Sequence, residues 1–252
     1  SCDKLASVTI PEGVMTIANG AFSGSNAMTR LDIPNSVESI GSSAINNCKS
    51  LEIITLGSGL KEIGINALTS NPALTAIEIL EENENFCDVD GVMYNKDKTT
   101  LLCCPGGYVG NYTVLNGTNT IGGFAFYGCG KLTQVVYPDS VNKIEENAFT
   151  NCSGLLTIDI PEGVESIESY TFAGCTNAKS ATLPKSLKSV ASGAFAGTWQ
   201  LTDVYYGGTE EEWSEVSIHS DNNYLLSATV HYTDPIITYP VVGGNIYIDR
   251  AT

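Results

Sequence analysis

The chain has 252 residues, and 42% of them are hydrophobic, which is ample for the core of one large or two ordinary globular domains. Its formal net charge is −16, with only 12 lysines and arginines. This acidic balance argues against nucleic acid and anionic membrane surfaces as partners. No stretch approaches the roughly 18 apolar residues that a bilayer span needs, so direct membrane insertion is not expected.

A repeat of 23 residues organises the N-terminal part of the chain. IPEGVMTIANGAF begins at Ile10 and IPNSVESIGSSAI at Ile33. A weaker copy without the proline covers residues 51–68, and another begins at Leu74. In the shared pattern L-x-x-I-x-I-P, the last two apolar residues alternate with polar ones, so they lie on one face of a short strand that the proline ends. We predict one strand per repeat, with the Ala-Phe pair on a short helical turn.

The repeat is interrupted at about residues 80–110. Leu80, at the proline position, is followed only 35 residues later by its equivalent Leu115, so about 12 residues are inserted. The inserted FCDVDGVMYNKDKTTLLCCP alternates apolar and polar residues around the segment 95–98. This alternation predicts a β-hairpin.

After the insertion the motif returns as YPDSVNKIEENAF at Tyr137, IPEGVESIESYTF at Ile160 and LPKSLKSVASGAF at Leu183. One repeat buries five or six large apolar side chains at roughly 1.5–3 kcal/mol each. Ordering its backbone costs at least ~1 kcal/mol per residue, so a single repeat cannot fold alone. Stacked repeats bury a continuous column, which predicts a solenoid.

A C-terminal cap is predicted at about residues 205–232. Thr209 followed by Glu212 forms a capping box, which predicts a short helix containing Trp213. The segment DNNYLLSATVHY then predicts one more strand. The final residues 233–252, rich in proline and glycine, are predicted to be a linker or the start of a following module.

The repeated IPxxVxxIxxxAFxxC pattern resembles the BspA-like leucine-rich repeats, a class of bacterial surface proteins. The resemblance covers nearly the whole chain, including the DGVMYNKDKTTLL insertion and the LTDVYYGGTEEEW segment. It implies a right-handed β/α superhelix for residues 1–232, with one short strand per repeat on the concave face, an inserted β-hairpin and a C-terminal cap. It also implies an extracellular or cell-surface location and a role in adhesion or binding, and it does not imply an enzyme.

Two columns of side chains are expected to point away from the core, because they precede the two core isoleucines of each strand. The first column is Ser7, Arg30, Ile53, Ala76, Asn111, Gln134, Thr157, Ser180 and Asp203. The second column is Thr9, Asp32, Thr55, Glu78, Thr113, Val136, Asp159, Thr182 and Tyr205. The candidate binding residues are Arg30, Asp32, Ile53, Glu78, Gln134, Val136, Asp159 and Tyr205. The alternative is a solvated strand face without a partner.

The insertion supplies a rival candidate site through Tyr94 and Tyr108, because departures from a repeat often carry function. If its strands pair around residues 95–98, Cys87 comes opposite Cys103 or Cys104, and a disulfide there stays open. Five other cysteines share one column of the repeat with Ser25, Asn71 and Thr198, an exchange that indicates packing rather than reactivity. These five are Cys2, Cys48, Cys129, Cys152 and Cys175.

No pattern indicates catalysis, a cofactor or a metal. The sequence contains no G-x-S-x-G, P-loop or zinc-ligand spacing, and DVDG at residues 88–91 has Thr99 where a calcium loop needs its glutamate. The sequence therefore favours a non-catalytic, extracellular interaction module that binds a host or cell-surface protein or glycan. The alternative is a passive spacer that holds other domains away from the cell surface.

Overall fold

The computed structural model of the protein describes residues 3–233. Cys2 and all but the first residue of the predicted linker at 233–252 lie outside the described residues. The N-terminal strands are β1 (Thr16–Ile17), β2 (Arg30–Ile33), β3 (Ser39–Ile40), β4 (Ile53–Leu56), β5 (Glu62–Ile63) and β6 (Ala76–Ile79). The insertion contains β7 (Phe86–Val89), β8 (Val92–Asn95) and β9 (Thr100–Cys103).

The C-terminal part begins with β10 (Gly110–Thr113), β11 (Thr120–Ile121), β12 (Leu132–Val136), β13 (Lys143–Ile144), β14 (Thr157–Asp159), β15 (Ser166–Ile167), β16 (Ser180–Leu183) and β17 (Ser189–Val190). It ends with β18 (Asp203–Tyr206), α1 (Glu210–Ser214), β19 (Ser217–Ile218), α2 (Asn223–Ser227) and β20 (Thr229–Tyr232). Helix therefore occurs only in the cap within residues 3–233, and the Ala-Phe segments are turns rather than the predicted helical turns.

The chain is a β-solenoid whose repeats of about 23 residues stack as parallel rungs. Longer strands form a first row, in which Arg30 pairs with Ile53 and Ile53 with Ala76. The Val-x-x-Ile segments form a second row of two-residue strands, in which Ile17 pairs with Ile40 and Ile40 with Ile63. Each repeat thus carries two strands instead of the one predicted. Two residues are too few for a sequence alternation to reveal a strand.

The turns that carry the Ala-Phe pair are joined by a ladder of backbone hydrogen bonds, the turn ladder. The N–H of Phe126 donates to Ala148 O at 2.8 Å, and the N–H of Phe149 donates to Thr171 O at 2.8 Å. Below this ladder the Phe rings stack, with centroids 4.8 Å apart for Phe126 and Phe149 and 5.2 Å for Phe149 and Phe172. Ring burial and stacking therefore repeat at the same spacing as the backbone.

The insertion is a three-stranded antiparallel unit and not the single hairpin predicted. β7 pairs with β8 and β8 with β9, while β9 continues the second row by pairing in parallel with β11. The β7–β8 turn consists of Asp90 and Gly91, both with positive φ, as a two-residue hairpin turn requires. The DVDG sequence is therefore a strand followed by a tight turn.

The insertion divides the core of the described chain into two clusters. Met93 packs with the N-terminal cluster, whereas Val92 and Tyr94 pack with the C-terminal one. β8 is thus buried on both faces and lies as a layer across the interior of the solenoid. We call β7, β8 and β9 the insertion layer.

The predicted capping box closes the N-terminus of α1. Glu212 N–H donates to Thr209 Oγ1 at 3.3 Å, and Thr209 N–H donates to Glu212 Oε2 at 2.9 Å. Between β19 and α2, side chains terminate the turn ladder. Gly193 N–H donates to Asp221 Oδ1 and Phe195 N–H to Asn222 Oδ1, both at 3.0 Å. The side-chain oxygens of Asp221 and Asn222 take the place of the backbone carbonyls that one more rung would supply.

Candidate functional site

The outward side of the first row carries the two predicted columns in the predicted register. Asp32 pairs with Thr55 and Thr55 with Glu78, while Thr182 pairs with Tyr205. The columns follow from the 23-residue period, because parallel pairing without a shift sets equivalent residues side by side. We call this surface the strand face. The strand face extends from β2 to β20, the first and last strands of the first row within residues 3–233.

The candidate residues of the strand face are at least partly accessible. Val136 and Tyr205 are 45% and 49% exposed. Among the others, Arg30, Asp32 and Glu78 are exposed, and Ile53, Gln134 and Asp159 are half-buried. The side chains between them, such as Ile54 and Ile158, are buried in the core.

A hydrogen-bonded network occupies the N-terminal end of the strand face. Arg30 Nε donates to Asp32 Oδ1 at 2.9 Å, and Arg30 Nη2 donates to Thr55 Oγ1 at 2.9 Å. Thr55 Oγ1 donates in turn to Glu78 Oε2 at 3.0 Å. The hydrogen bond from Arg30 lowers the pKa of Asp32. These exposed groups hold one another in place across three rungs, although exposed ion pairs of this kind add little stability.

The middle of the strand face is neutral and more apolar. Asn111 lies beside Gln134, and Thr113 lies beside Val136. Thr133 Oγ1 donates to Asn111 Oδ1 at 2.7 Å. The exposed Val136 therefore pairs with the uncharged Thr113, and Asp159 follows it one repeat later in the second column.

An aromatic and acidic cluster occupies the C-terminal end of the strand face. Tyr205 stacks on His231 with ring centroids 4.8 Å apart, and His231 Nε2 lies 2.8 Å from Asp203 Oδ1. The hydrogen bond with His231 lowers the pKa of Asp203. Sequence reasoning predicted the strand that became β20 but did not extend the columns to Thr229 and His231. The alternation T-V-H-Y, which parallels D-V-Y-Y in β18, was the available signal.

The prediction of a rival binding site at Tyr94 and Tyr108 is wrong for Tyr94. Tyr94 is fully buried, and its hydroxyl lies 2.5 Å from that of Tyr112. Burial raises the pKa of Tyr94. Tyr108 is half-buried and packs edge-on against Tyr112, with centroids 5.3 Å apart. The insertion thus presents no tyrosine pair to solvent, because Tyr94 faces the core.

The suggested disulfide from Cys87 does not form. Cys87 pairs with Tyr94 on β8, and Cys103 pairs with Met93 on the opposite side of the same strand, so β8 separates the two thiols. All seven described cysteines are free thiols. Within the repeat column Cys152 Sγ donates to Phe126 O at 2.9 Å, and burial raises the pKa of Cys175 to about 12. These thiols are packing groups.

Within residues 3–233, no group of three or more His, Cys, Asp or Glu side chains is arranged to hold a metal ion. None of the helices in that range has the length and apolar character needed to cross a bilayer.

Comparison with known proteins identifies relatives of this fold. The family model described as the BspA type leucine rich repeat region matches residues 1–89 and 107–223, in six copies. The unmatched residues are 90–106, which contain β8 and β9 of the insertion layer, and 224–252. A search among curated proteins found no significant match.

Solved structures of bacterial leucine-rich repeat proteins superpose on the chain. A leucine rich cell surface protein from Faecalibacterium prausnitzii is 29% identical, with a TM-score of 0.67 over 84% of this chain and 62% of that one. This chain therefore spans less than two thirds of that protein's length. A leucine-rich repeat protein from Eubacterium ventriosum is 20% identical, with a TM-score of 0.68 over 93% of this chain and 74% of that one.

The pneumococcal vaccine antigen PcpA is also 20% identical, with a TM-score of 0.55 over 89% of this chain and 73% of that one. The likenesses at 20% identity bear on the fold alone. The shared fold is the stack of repeats that builds the strand face.

Proposed function

The chain belongs to the BspA-type leucine-rich repeat family, and we propose that it is a non-catalytic interaction module whose strand face binds a protein or glycan partner outside the cell. The family, as one of bacterial surface proteins, suggests protein interaction and an extracellular location. The Faecalibacterium prausnitzii relative is described as a cell surface protein. Adhesion through the strand face is the finer statement that we propose for this chain.

The observation that carries the proposal is the aligned array of accessible side chains on the strand face. Arg30, Thr55 and Glu78 are held by hydrogen bonds across three successive rungs. Side chains that are already fixed lose less conformational freedom when a partner binds. The strand face is therefore organised for binding before a partner arrives.

The two ends of the strand face suit different contacts with a partner. Tyr205 offers an aromatic surface on His231, and aromatic side chains are enriched among the residues that carry binding energy. Asp32, Glu78 and Asp159 offer carboxylate oxygens, which accept hydrogen bonds from sugar hydroxyls or from basic side chains. The acidic charge of the whole chain favours neutral or basic partners.

The experiment is binding to immobilised extracellular-matrix proteins and to a glycan array, at physiological salt. A variant with Asp32→Asn, Glu78→Gln, Asp159→Asn and Tyr205→Ala removes contacts along the length of the strand face. We expect it to bind at least tenfold more weakly than the native chain to any surface that the native chain recognises, since each lost hot-spot contact costs on the order of 1–2 kcal/mol.

A control variant removes three carboxylates and one tyrosine ring, as the test variant does, but away from the strand face. Its substitutions are Asp97→Asn, Glu165→Gln, Glu215→Gln and Tyr170→Ala, all at exposed side chains. The control should bind as the native chain does. Equal binding by both variants, or no binding by the native chain across the panel, would instead support the passive spacer.

A further inference from the structure

A cleft of about 380 Å³ opens where the insertion layer enters the solenoid. Its size falls within the range of about 300–1,000 Å³ that is usual for ligand pockets. One wall is β5 and the turn after it, with Ile63 and Leu68, and the opposite wall is formed by Met93 and Leu102 of the insertion layer. Phe124 of the next turn completes the apolar lining. The cleft lies on the turn side of the solenoid, apart from the strand face.

The turn ladder is broken at this cleft. Ile45 N–H donates to Ala67 O at 2.8 Å, and Cys104 N–H donates to Ala125 O at 2.7 Å. Leu68 is the equivalent donor of the rung between them, and its N–H finds no acceptor within residues 3–233. The insertion layer displaces the carbonyl that the next rung would otherwise have provided.

Two more backbone groups of the same rung are open. Ser43 N–H donates to Ile65 O at 3.1 Å, but the equivalent N–H of Asn66 has no acceptor in the described part of the chain. Gly64 N–H donates to Ile40 O at 2.7 Å, whereas the equivalent carbonyl of Ile63 receives no donor from the described residues. β5 is the last strand of its sheet, paired only with β3.

The C-terminal end of the turn ladder shows which acceptors these N–H donors can use. At the C-terminal end of the turn ladder, the same two positions of the last rung donate to the side-chain oxygens of Asp221 and Asn222. In the rungs of Phe22, Ile45, Phe126, Phe149 and Phe172 the same positions donate to backbone carbonyls. Asn66 and Leu68 both line the cleft. Oxygen acceptors of a ligand in the cleft can therefore reach these two open donors.

We propose that this cleft binds an extended peptide segment of a partner protein, which restores the missing rung. Two carbonyl oxygens of the peptide accept from the N–H groups of Asn66 and Leu68, and a peptide N–H donates to the carbonyl of Ile63. This is strand addition to an open edge, in which main-chain hydrogen bonds supply affinity and side-chain pockets supply specificity.

The residues that line the cleft determine which peptide side chains it favours. Ile65, Leu102 and Phe124 are accessible apolar residues of the lining, and they favour an aliphatic side chain beside them. Glu146 borders the cleft with an exposed carboxylate, and the structure shows no ion pair for it within residues 3–233. A lysine or arginine beside the aliphatic residue complements this charge. The ligand class is therefore an extended peptide that alternates aliphatic and basic residues.

The test uses a blocked hexapeptide of alternating valine and lysine, titrated into the isotope-labelled full chain at physiological salt. We expect saturable binding, with the largest NMR shifts at the amides of Asn66 and Leu68 and slower hydrogen exchange at both. A lysine–serine hexapeptide of the same charge should bind at least tenfold more weakly, since it lacks the aliphatic groups. A backbone N-methylated peptide should lose binding to a similar extent.

Two matched variants locate the site. Thr100→Trp fills the cleft that Thr100 lines, and we expect at least tenfold weaker peptide binding. Thr120→Trp places the same ring on the neighbouring strand, in register with Thr100 but outside the cleft lining, and should bind as the native chain does. Thermal unfolding of both variants confirms folding.

Several results would overturn this proposal. They are the absence of saturable binding, equal binding of the N-methylated peptide, equal loss in both Trp variants, or shifts confined to the strand face. The variant with four changes on the strand face should still bind the hexapeptide fully. A failure of the cleft and a failure of the strand face are thereby distinguishable.

Discussion

One small buried side chain per repeat lies three residues after the Phe position, and in most repeats it donates to a backbone carbonyl of the rung before it. Cys48 Sγ donates to Phe22 O at 3.2 Å, and Asn71 Nδ2 donates to Ile45 O at 2.8 Å. Thr198 Oγ1 donates to Phe195 O within its own turn at 2.7 Å. The common requirement is a small donor in a space without water. Cysteine meets it without any need for reactivity.

Ser25 occupies the same position but is unpaired. Its hydroxyl oxygen is fully buried, and no hydrogen-bond partner for it occurs within residues 3–233. A buried hydroxyl without a partner costs about 1–3 kcal/mol, whereas a thiol is buried more readily. We expect Ser25→Cys to raise the free energy of unfolding by about 1 kcal/mol, as measured by urea denaturation.

The neighbouring Ser23 provides the control, because its hydroxyl donates to Asn46 Oδ1 at 2.6 Å. Ser23→Cys loses that hydrogen bond and should lower stability or leave it unchanged. A loss of stability in Ser25→Cys equal to that in Ser23→Cys would show that the Ser25 hydroxyl is not costly.

At the scale of elements, the cap ends the solenoid through Asp221. Its carboxylate accepts from Ser192 Oγ at 2.6 Å and from Gly193 N–H at 3.0 Å. The hydrogen bond from Ser192 is the largest cause that lowers the pKa of Asp221 from 3.8 to about 2, and the bond from Gly193 adds to it. The folded state therefore favours the charged carboxylate.

This pKa shift fixes the sign of a pH effect. The charged form stabilises the fold above pH 3.8, and this stabilisation is lost as the pH falls from there to about 2. We expect native protein to be more stable than Asp221→Asn at pH 6, with the difference shrinking through that window. Urea denaturation at a series of pH values measures it.

Asp97→Asn is the control for Asp221→Asn. Asp97 is exposed in the β8–β9 turn, and within the described residues its carboxylate accepts no side-chain or backbone hydrogen bond. Its variant should differ little from the native protein at any pH. A pH dependence of equal size in both variants would mean that the cap carboxylate contributes nothing special.

The elements also show what the sequence could and could not predict. The 23-residue period was enough to place Asp32 beside Thr55 and Thr182 beside Tyr205, because unshifted parallel pairing leaves no freedom. The burial of Tyr94 was not predictable from the alternation of apolar and polar residues, since a strand buried on both faces carries consecutive apolar residues. The run Val92-Met93-Tyr94, fully buried, was the signal that such a strand was present. The cleft was invisible because it arises from a missing backbone partner, which has no sequence pattern.

At the scale of the whole molecule, the insertion layer makes the solenoid a two-part stack. The first-row sheet stops at β6 and resumes at β10, with a further break between β12 and β14, and the turn ladder is open at Leu68. The two core clusters meet across β8 without sharing a buried residue. Stability in a solenoid is close to a sum over neighbouring rungs, so this weak junction should let the two parts unfold separately.

Ile54→Ala tests the junction. Ile54 is fully buried in the N-terminal cluster, and such a truncation costs about 2–5 kcal/mol. Both tryptophans, Trp199 and Trp213, lie in the C-terminal part. We expect the urea midpoint followed by circular dichroism to fall while the midpoint followed by tryptophan fluorescence stays near the native value.

Ile158→Ala is the reciprocal variant, since Ile158 is buried in the C-terminal cluster. It should lower the midpoint followed by fluorescence. Coincident midpoints by both probes in Ile54→Ala would show instead that the insertion layer couples the two parts into a single cooperative unit.

The way in which Asp221 and Asn222 close the turn ladder has a consequence for how such proteins change over generations. To end the turn ladder, the two side chains accept from backbone N–H groups of the rung beside them, and every repeat in the array carries those groups. The Ser192 hydroxyl also donates to Asp221, but the bonds that close the ladder itself do not depend on the side chains of the preceding repeat. Whole 23-residue units can be duplicated or deleted upstream without any change to the end, so the length of the strand face is free to evolve separately from the means of terminating it.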